Sequence, residues 1–308
     1  MTVINMISFG EDGVAIADEQ SSTEFRKYNI AQKLQLLNQS IVYGGSGPAD
    51  FIKEVYNNIY HEIESVKKTK DKISLKEVFL ISQNSLANHK NNFKNQVLSA
   101  NLGISLDDLL TGILSRNGRK LDESVMQAGR NILRDVDEKG GISLILGGLE
   151  DKKFGIYILD TSYGGRLISR PYCSIGSGSD ESEKVLSRYI ASLPRDGRES
   201  INKHEGVVKI IEATNASSNL NIGVGGSPSI VYVSEEQILR PNEQQCVLAS
   251  ELVEGLTNNL LERDFVYDSV SRLIFDDGKF DDIEEEMKQR AKDWKNLDRL
   301  LRGYKIKS

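Results

Sequence analysis

The order of apolar runs along this chain limits the folds open to it. Short strand-like runs come in groups, separated by long stretches with helical periodicity. Residues 2–9 and 13–18 are apolar runs split by Gly10-Glu11-Asp12-Gly13, a turn composition, and read as a hairpin. Residues 23–32 are polar and read as a loop or short strand. Residues 33–37 and 41–44 read as a second strand pair around Asn38-Gln39-Ser40. Pro48 suits the first turn of a helix. Phe51, Ile52, Val55, Ile59 and Ile63 then recur at helical spacing, giving a helix over 48–67. Ser74 with Glu77 forms a capping box for a second helix running to about Val97.

Residues 100–139 read as a helical pair. Ser105 caps a segment holding Leu106, Leu109, Leu110 and Ile113; Asn117-Gly118 breaks it; Leu121 to Val136 follows and ends at Gly140-Gly141. Strands are expected at 142–148, 154–159 and 166–175, helices at Glu181–Leu193 and from Ser200 to about Ala216. A glycine-rich bend follows at Gly223–Gly226, then a final strand at 230–233. The order is strands, two helices, strands, two helices, strand. Two antiparallel sheets stacked face to face, each covered outside by helices, accommodate it around one core. The expected class is therefore α+β, a four-layer αββα sandwich. After Pro241 the reading changes to helices at 243–265 and 280–302, joined through Asp276-Asp277-Gly278. The division is a domain over 2–238, with a helical insertion at about 100–139, and a C-terminal helical extension over 239–308.

Composition narrows the function. The net charge of −6 disfavours nucleic-acid and anionic-membrane partners. Asp12, Asp18 and Glu19 interrupt the early apolar runs, against a signal peptide, and no stretch reaches the length of a membrane span. Cys173 and Cys246 are two and far apart, which suits a reducing compartment. A cytoplasmic location is expected. His61, His89 and His204 are scattered without metal-ligand spacing, so no metal is expected; His61 and His89 read as helix-surface residues. There is no P-loop, and Gly176-Ser177-Gly178-Ser179 lacks Rossmann spacing, so no cofactor is expected. The acidic run Asp281, Asp282, Glu284, Glu285, Glu286 suits a solvated helix N-terminus, with metal binding as the alternative, and Trp294 reads as a packing anchor.

The chemistry gathers around Thr2. Met1 precedes a small residue and is a candidate for removal, which would leave a hydroxyl and a free α-amine on Thr2. A threonine hydroxyl is a weak nucleophile that needs an adjacent base. An α-amine titrates at about 7.7–8.0, near working pH. A nearby lysine ammonium would lower that value by like-charge repulsion. Lys33, directly before an apolar run, is preferred to Lys27 for this, and Asp18 would keep it charged. The plain alternatives are that Met-Thr is an ordinary beginning and that Asp18 is a strand-end turn residue.

These features, in this order, resemble the proteasome β-subunit family with its bacterial relatives HslV and Anbu. Thr2-Val3-Ile4 through Gly13-Val14-Ala15-Ile16-Ala17-Asp18 is similar to that family's first hairpin, and Lys33-Leu34 to its lysine strand. Gly44-Gly45 is similar to its oxyanion-hole pair, and Ile175-Gly176-Ser177-Gly178-Ser179 to its Gly-Ser-Gly-Ser turn. The resemblance covers roughly residues 2–95 and 140–235. It implies a threonine peptidase with Thr2 as nucleophile, Asp18 and Lys33 as its ion pair, the Gly45 N–H toward the oxyanion, and Ser177 bonded to the Thr2 amine. A close-packed strand end is the plain reading of Gly45, and a helix cap that of Ser177. The family usually reaches its next strand more directly, which marks 100–139 as inserted. It also usually has Asp-x-x-Ser-Gly before the last strand. Here Ser217-Ser218-Asn219-Leu220-Asn221-Ile222-Gly223-Val224-Gly225-Gly226 has no Asp and looks more like Anbu. By resemblance the substrate is a peptide or unfolded protein and the assembly a homo-oligomeric ring, with an unfoldase as a possible partner. Two alternatives stand beside hydrolysis: a transpeptidase or ligase on the same fold, and a non-catalytic ring or scaffold subunit.

Overall fold

A computed structural model describes residues 2–22, 27–28, 32–70, 72–198, 201–221 and 224–302. The opening hairpin forms as expected, from β1 (Ile4–Ser8) and β2 (Gly13–Asp18). Two short strands follow, β3 (Ser21–Ser22) and β4 (Lys27–Tyr28). They pair with each other, and residues 23–26 and 29–31 lie outside the described residues. The second pair is β5 (Leu34–Asn38) and β6 (Ile41–Ser46). Then come α1 (Ala49–Lys67), α2 (Leu75–Leu102), α3 (Leu106–Thr111) and α4 (Glu123–Lys139). The middle strands are β7 (Ser143–Glu150), β8 (Lys153–Asp160), β9 (Gly164–Leu167) and β10 (Tyr172–Ile175). They lead to α5 (Ser179–Ser192), α6 (Lys203–Leu220), β11 (Pro228–Val233) and β12 (Ile238–Leu239). Four helices close the chain: α7 (Glu243–Thr257), α8 (Arg263–Phe275), α9 (Phe280–Arg290) and α10 (Trp294–Arg302).

The class is mixed α+β, with two antiparallel five-stranded sheets in the orders β10-β1-β2-β11-β12 and β5-β6-β7-β8-β9. Several expected boundaries move, each for a local reason. The strand expected over 166–175 is two strands in different sheets, β9 and β10, interrupted before Pro171, whose ring removes a ladder donor. The helix expected over 243–265 stops at Asn258, and Asn259 takes a left-handed φ of 56° before α8 begins. The one expected over 280–302 breaks at Ala291, which is extended (ψ 128°). The second helix continues past Val97 to Leu102, where Gly103 ends it with φ 66°. Among the described residues no helix is long and apolar enough to cross a membrane.

The chain divides into two units, one of Met1–Ser46, Leu144–Ile158 and Leu167–Ser308, the other of Gly47–Ser143 and Leu159–Arg166. In the first, strand alternation sorts side chains onto two faces. Ile4, Met6, Ala15, Ala17, Cys173, Ile175 and Val231 share a core with Leu34, Val42, Ile145, Phe154 and Ile156, so the two sheets meet face to face there. Ile7, Val14, Ile16, Ile230 and Tyr232 point the other way. They meet Leu186, Val208, Ile211, Leu252, Val266, Leu273, Ile283, Met287 and Leu297 from α5–α10. Trp294 packs against this cluster, as expected of an anchor.

In the second unit α1 and α4 both pack along α2. The Ser74–Glu77 and Ser105–Asp108 capping boxes start α2 and α3. Leu98, Ile104 and Leu109 form a small core with Val125, Ile132 and Leu133. His89 departs from its expected place on the surface. It is buried, with the Phe51 and Phe93 rings nearby: His89 and Phe51 centroids are 5.0 Å apart, and Phe51 and Phe93 4.6 Å.

Candidate functional site

Sheet register brings the N-terminal end of β1 beside two strand ends. The β1–β2 ladder pairs Ile4 with Ala17, so its next step sets Val3 opposite Asp18. The backbone continues that ladder, with Asp18 N–H donating to Val3 O (3.3 Å). The β1–β10 ladder pairs Ile4 with Ile175, and two further steps set Thr2 opposite Ser177. Here too the pairing persists beyond the strands: Gly178 N–H donates to Thr2 O (3.2 Å) and Thr2 N–H to Ser177 Oγ (3.2 Å). Thr2 is thus held on both sides by strand register.

Asp18 is the hub of this end of the sheet. Its carboxylate is 1 % exposed. Oδ1 accepts from Val3 N–H (2.8 Å) and sits 2.8 Å from Lys33 Nζ. Oδ2 accepts from Gly225 N–H (3.2 Å). A buried carboxylate requires such partners, because an unpaired buried charge is costly. The Lys33 side chain is 8 % exposed. Burial pushes its pKa below the ordinary lysine value, and the Asp18 carboxylate only partly restores it. Glu19, the next residue, is shifted upward, first by burial and then by the Glu243 carboxylate.

Gly45 lies in β6, whose Gly44 pairs with Leu34 of β5. One further step of that register sets Gly45 opposite Lys33. A Cβ on Gly44 would meet the Ile4 side chain at 3.0 Å, so a small residue is needed where β6 passes β1. Gly176 is more constrained. Its φ is +96°, and a Cβ there would lie 2.2 Å from Thr2 O and 3.2 Å from Ser46 Oγ. Only glycine accepts that conformation and that approach. Ser46 therefore comes within a few ångströms of the Thr2 backbone.

Direct contacts join Thr2 to Ser177 and Asp18 to Lys33, the two pairs linked through the Val3 backbone, and Gly45 is placed by strand register opposite Lys33. Met1 lies outside the described residues, as do Ile222 and Gly223 of the Ser217–Gly226 stretch. That stretch holds a network the sequence reading missed. Ser217 Oγ donates to Gly178 O (2.6 Å) and lies 2.7 Å from Ser182 Oγ, while Ser182 Oγ also contacts Ala213 O (3.0 Å). Two buried hydroxyls thus fasten the 176–179 turn to α6. The helical phase of Ser217, facing inward with Ala213 and Thr214, was the available signal.

Other nucleophile candidates are less suited. Cys246 is buried and its thiol is pushed up to about 12, chiefly by burial, so little thiolate forms near neutrality. Among the described residues no group of three His, Cys, Asp or Glu side chains could hold a metal. In comparisons with known proteins, no family model matches the chain and no curated protein matches it.

Proposed function

We propose that the chain is a threonine peptidase of the N-terminal-nucleophile type, acting once the peptide bond before Thr2 has been cleaved. The observation that carries this reading is the contact of Thr2 N with Ser177 Oγ at 3.2 Å, beside a buried Asp18–Lys33 pair at 2.8 Å. With its amine free, Thr2 would hold nucleophile and base on one residue. The amine takes the Oγ proton as Oγ attacks the substrate carbonyl. The tetrahedral oxyanion accepts the Gly45 N–H; a donor of this kind contributes about 3–4 kcal/mol. Collapse breaks the peptide C–N bond, and the amine's proton passes to the leaving nitrogen. Water then hydrolyses the Thr2 ester and regenerates the hydroxyl. Lys33 provides positive charge near the amine and favours its neutral, basic form. Ser177 orients the amine.

The reading includes the four-layer αββα arrangement, a cytoplasmic setting, a peptide or unfolded-protein substrate and a homo-oligomeric ring. It is supported by the meeting of the two sheets and by the helices on the outer face of the first sheet. Its test is peptide hydrolysis by the processed protein and by Thr2→Ala, with release of the segment before residue 2 checked by mass in both. Retained cleavage in the processed Thr2→Ala protein overturns the reading. Product analysis with added amines tells hydrolysis from transpeptidation.

A second reading, a non-catalytic scaffold subunit, is favoured by one observation. The turn carrying Ser177 is fastened by the neutral hydroxyls of Ser182 and Ser217, with no carboxylate in that network among the described residues. Normal assembly with no cleavage in the processed protein would select it.

A further inference from the structure

In the second unit a cavity of about 310 Å³ opens between α2 and α4. Phe93, Val97 and Asn101 recur every fourth residue along one face of α2, and Ile132, Asp135 and Val136 share a face of α4. Phe51 of α1 completes the wall beside Phe93, the ring centroids 4.6 Å apart. The five apolar side chains are only half-buried, which leaves a concave apolar surface open to solvent. Gly140, just past α4, keeps it open. A Cβ there would lie 2.9 Å from Val136 O and 3.7 Å from the Phe93 ring. Its φ of −98° suits other residues too, so what glycine supplies here is space.

The polar groups on this wall are acceptors. Asp135 is exposed, and no described residue pairs with its carboxylate. Asn101 donates through Nδ2 to Val97 O (2.8 Å), which leaves its Oδ1 for a ligand. None of the described lining residues is Lys, Arg or His. The next carboxylate, Asp137, is already matched by Lys90 (3.3 Å) and Lys94 (2.8 Å). The last carbonyls of α4 add partial negative charge at this end of the helix. The volume is at the lower end of the range for small-molecule sites, enough for one ring and a short chain. A ligand complementary to both features carries an apolar ring and a cationic donor.

We propose that this cavity binds an arylalkyl amine. Its ring extends the edge-to-face pair of Phe51 and Phe93, with Val97, Ile132 and Val136 around it. Its ammonium meets the Asp135 carboxylate and Asn101 Oδ1. The site lies wholly within the second unit and does not depend on the peptidase reading.

2-Phenylethylamine titrated calorimetrically into the full-length protein tests the proposal. Saturable binding is expected, weakened at least about threefold by Asp135→Asn, as for a solvent-accessible ion pair. 2-Phenylethanol, of similar shape but uncharged, should bind at least about threefold more weakly, and 3-phenylpropionate, of opposite charge, more weakly still. Butylamine, which keeps the ammonium but lacks the ring, should lose at least about tenfold. Val97→Trp, which fills the cavity, should abolish binding. No saturable binding of 2-phenylethylamine overturns the proposal, as does equal affinity for 2-phenylethanol or butylamine, or an unchanged affinity in Asp135→Asn. Circular dichroism checks folding. The Asp135 carboxylate has no described partner in the fold, so that variant decides if Val97→Trp does not fold.

Discussion

At the scale of single residues, Asp18 carries the most consequence, because one carboxylate serves Val3, Gly225 and Lys33. Asp18→Asn removes the charge beside a largely buried ammonium. Breaking a buried pair in this way costs about 3–5 kcal/mol, to be read from urea unfolding. The titration of Lys33 has a defined sign. Its folded pKa is lowered, so the unfolded state binds more protons between the folded value and the ordinary 10.5. Its contribution to stability therefore rises with pH through that alkaline window and is absent below it. Activity that needs the ammonium moves the opposite way. Its alkaline limb is expected below 10.5, and Lys33→Arg should remove that limb if the variant remains active. Gly176→Ala places a methyl 2.2 Å from Thr2 O at a positive φ. A loss of at least about 1–3 kcal/mol is expected, with a larger fractional loss of hydrolysis than of stability at assay temperature.

At the scale of elements, some strand ends matter more than the strands. Ser217→Ala deletes the hydroxyl that donates to Gly178 O and faces Ser182. It should cost about 1–2 kcal/mol in denaturant unfolding and lower kcat in peptide hydrolysis by loosening the turn that carries Ser177. Much of this level could be read from residue order. The turn at Gly10–Gly13, the capping box at Ser74 and the cap at Ser105 are local signals, and local chemistry decides them; the break expected at Asn117-Gly118 comes earlier, at Gly112 (φ 71°), which ends α3 and leaves Ile113 outside it. Thr2, Asp18, Lys33 and Ser177 were legible as candidates because each sits at the edge of an apolar run or in a glycine turn. What brings them together is long-range register, Ile4 with Ala17 and Ile4 with Ile175, which no local pattern states. The Ser182–Ser217 contact spans 35 residues, and the burial of His89 depends on rings from α1 and α2. The breaks at Asn259 and Ala291 were missed because the apolar periodicity on either side masks a single non-helical residue.

At the scale of the whole molecule, the C-terminal helices belong to the core that holds the site in place. Ile283, Met287 and Leu297 are fully buried in the cluster that covers Ile16 and Ile230 of the first sheet. Burying three such side chains contributes roughly 5–9 kcal/mol. Deletion of residues 280–308 should therefore lower the unfolding midpoint sharply or leave the protein insoluble, not merely shorten it. The central claim is that a free Thr2 amine and hydroxyl do the chemistry. Its most direct test is peptide mapping of the purified protein after treatment with a threonine-directed peptide epoxyketone, which needs both groups to form its ring adduct. A chain beginning at Thr2 with the adduct on that residue is the expected result. An unlabelled Thr2, or one still joined to the residue before it, would contradict the account.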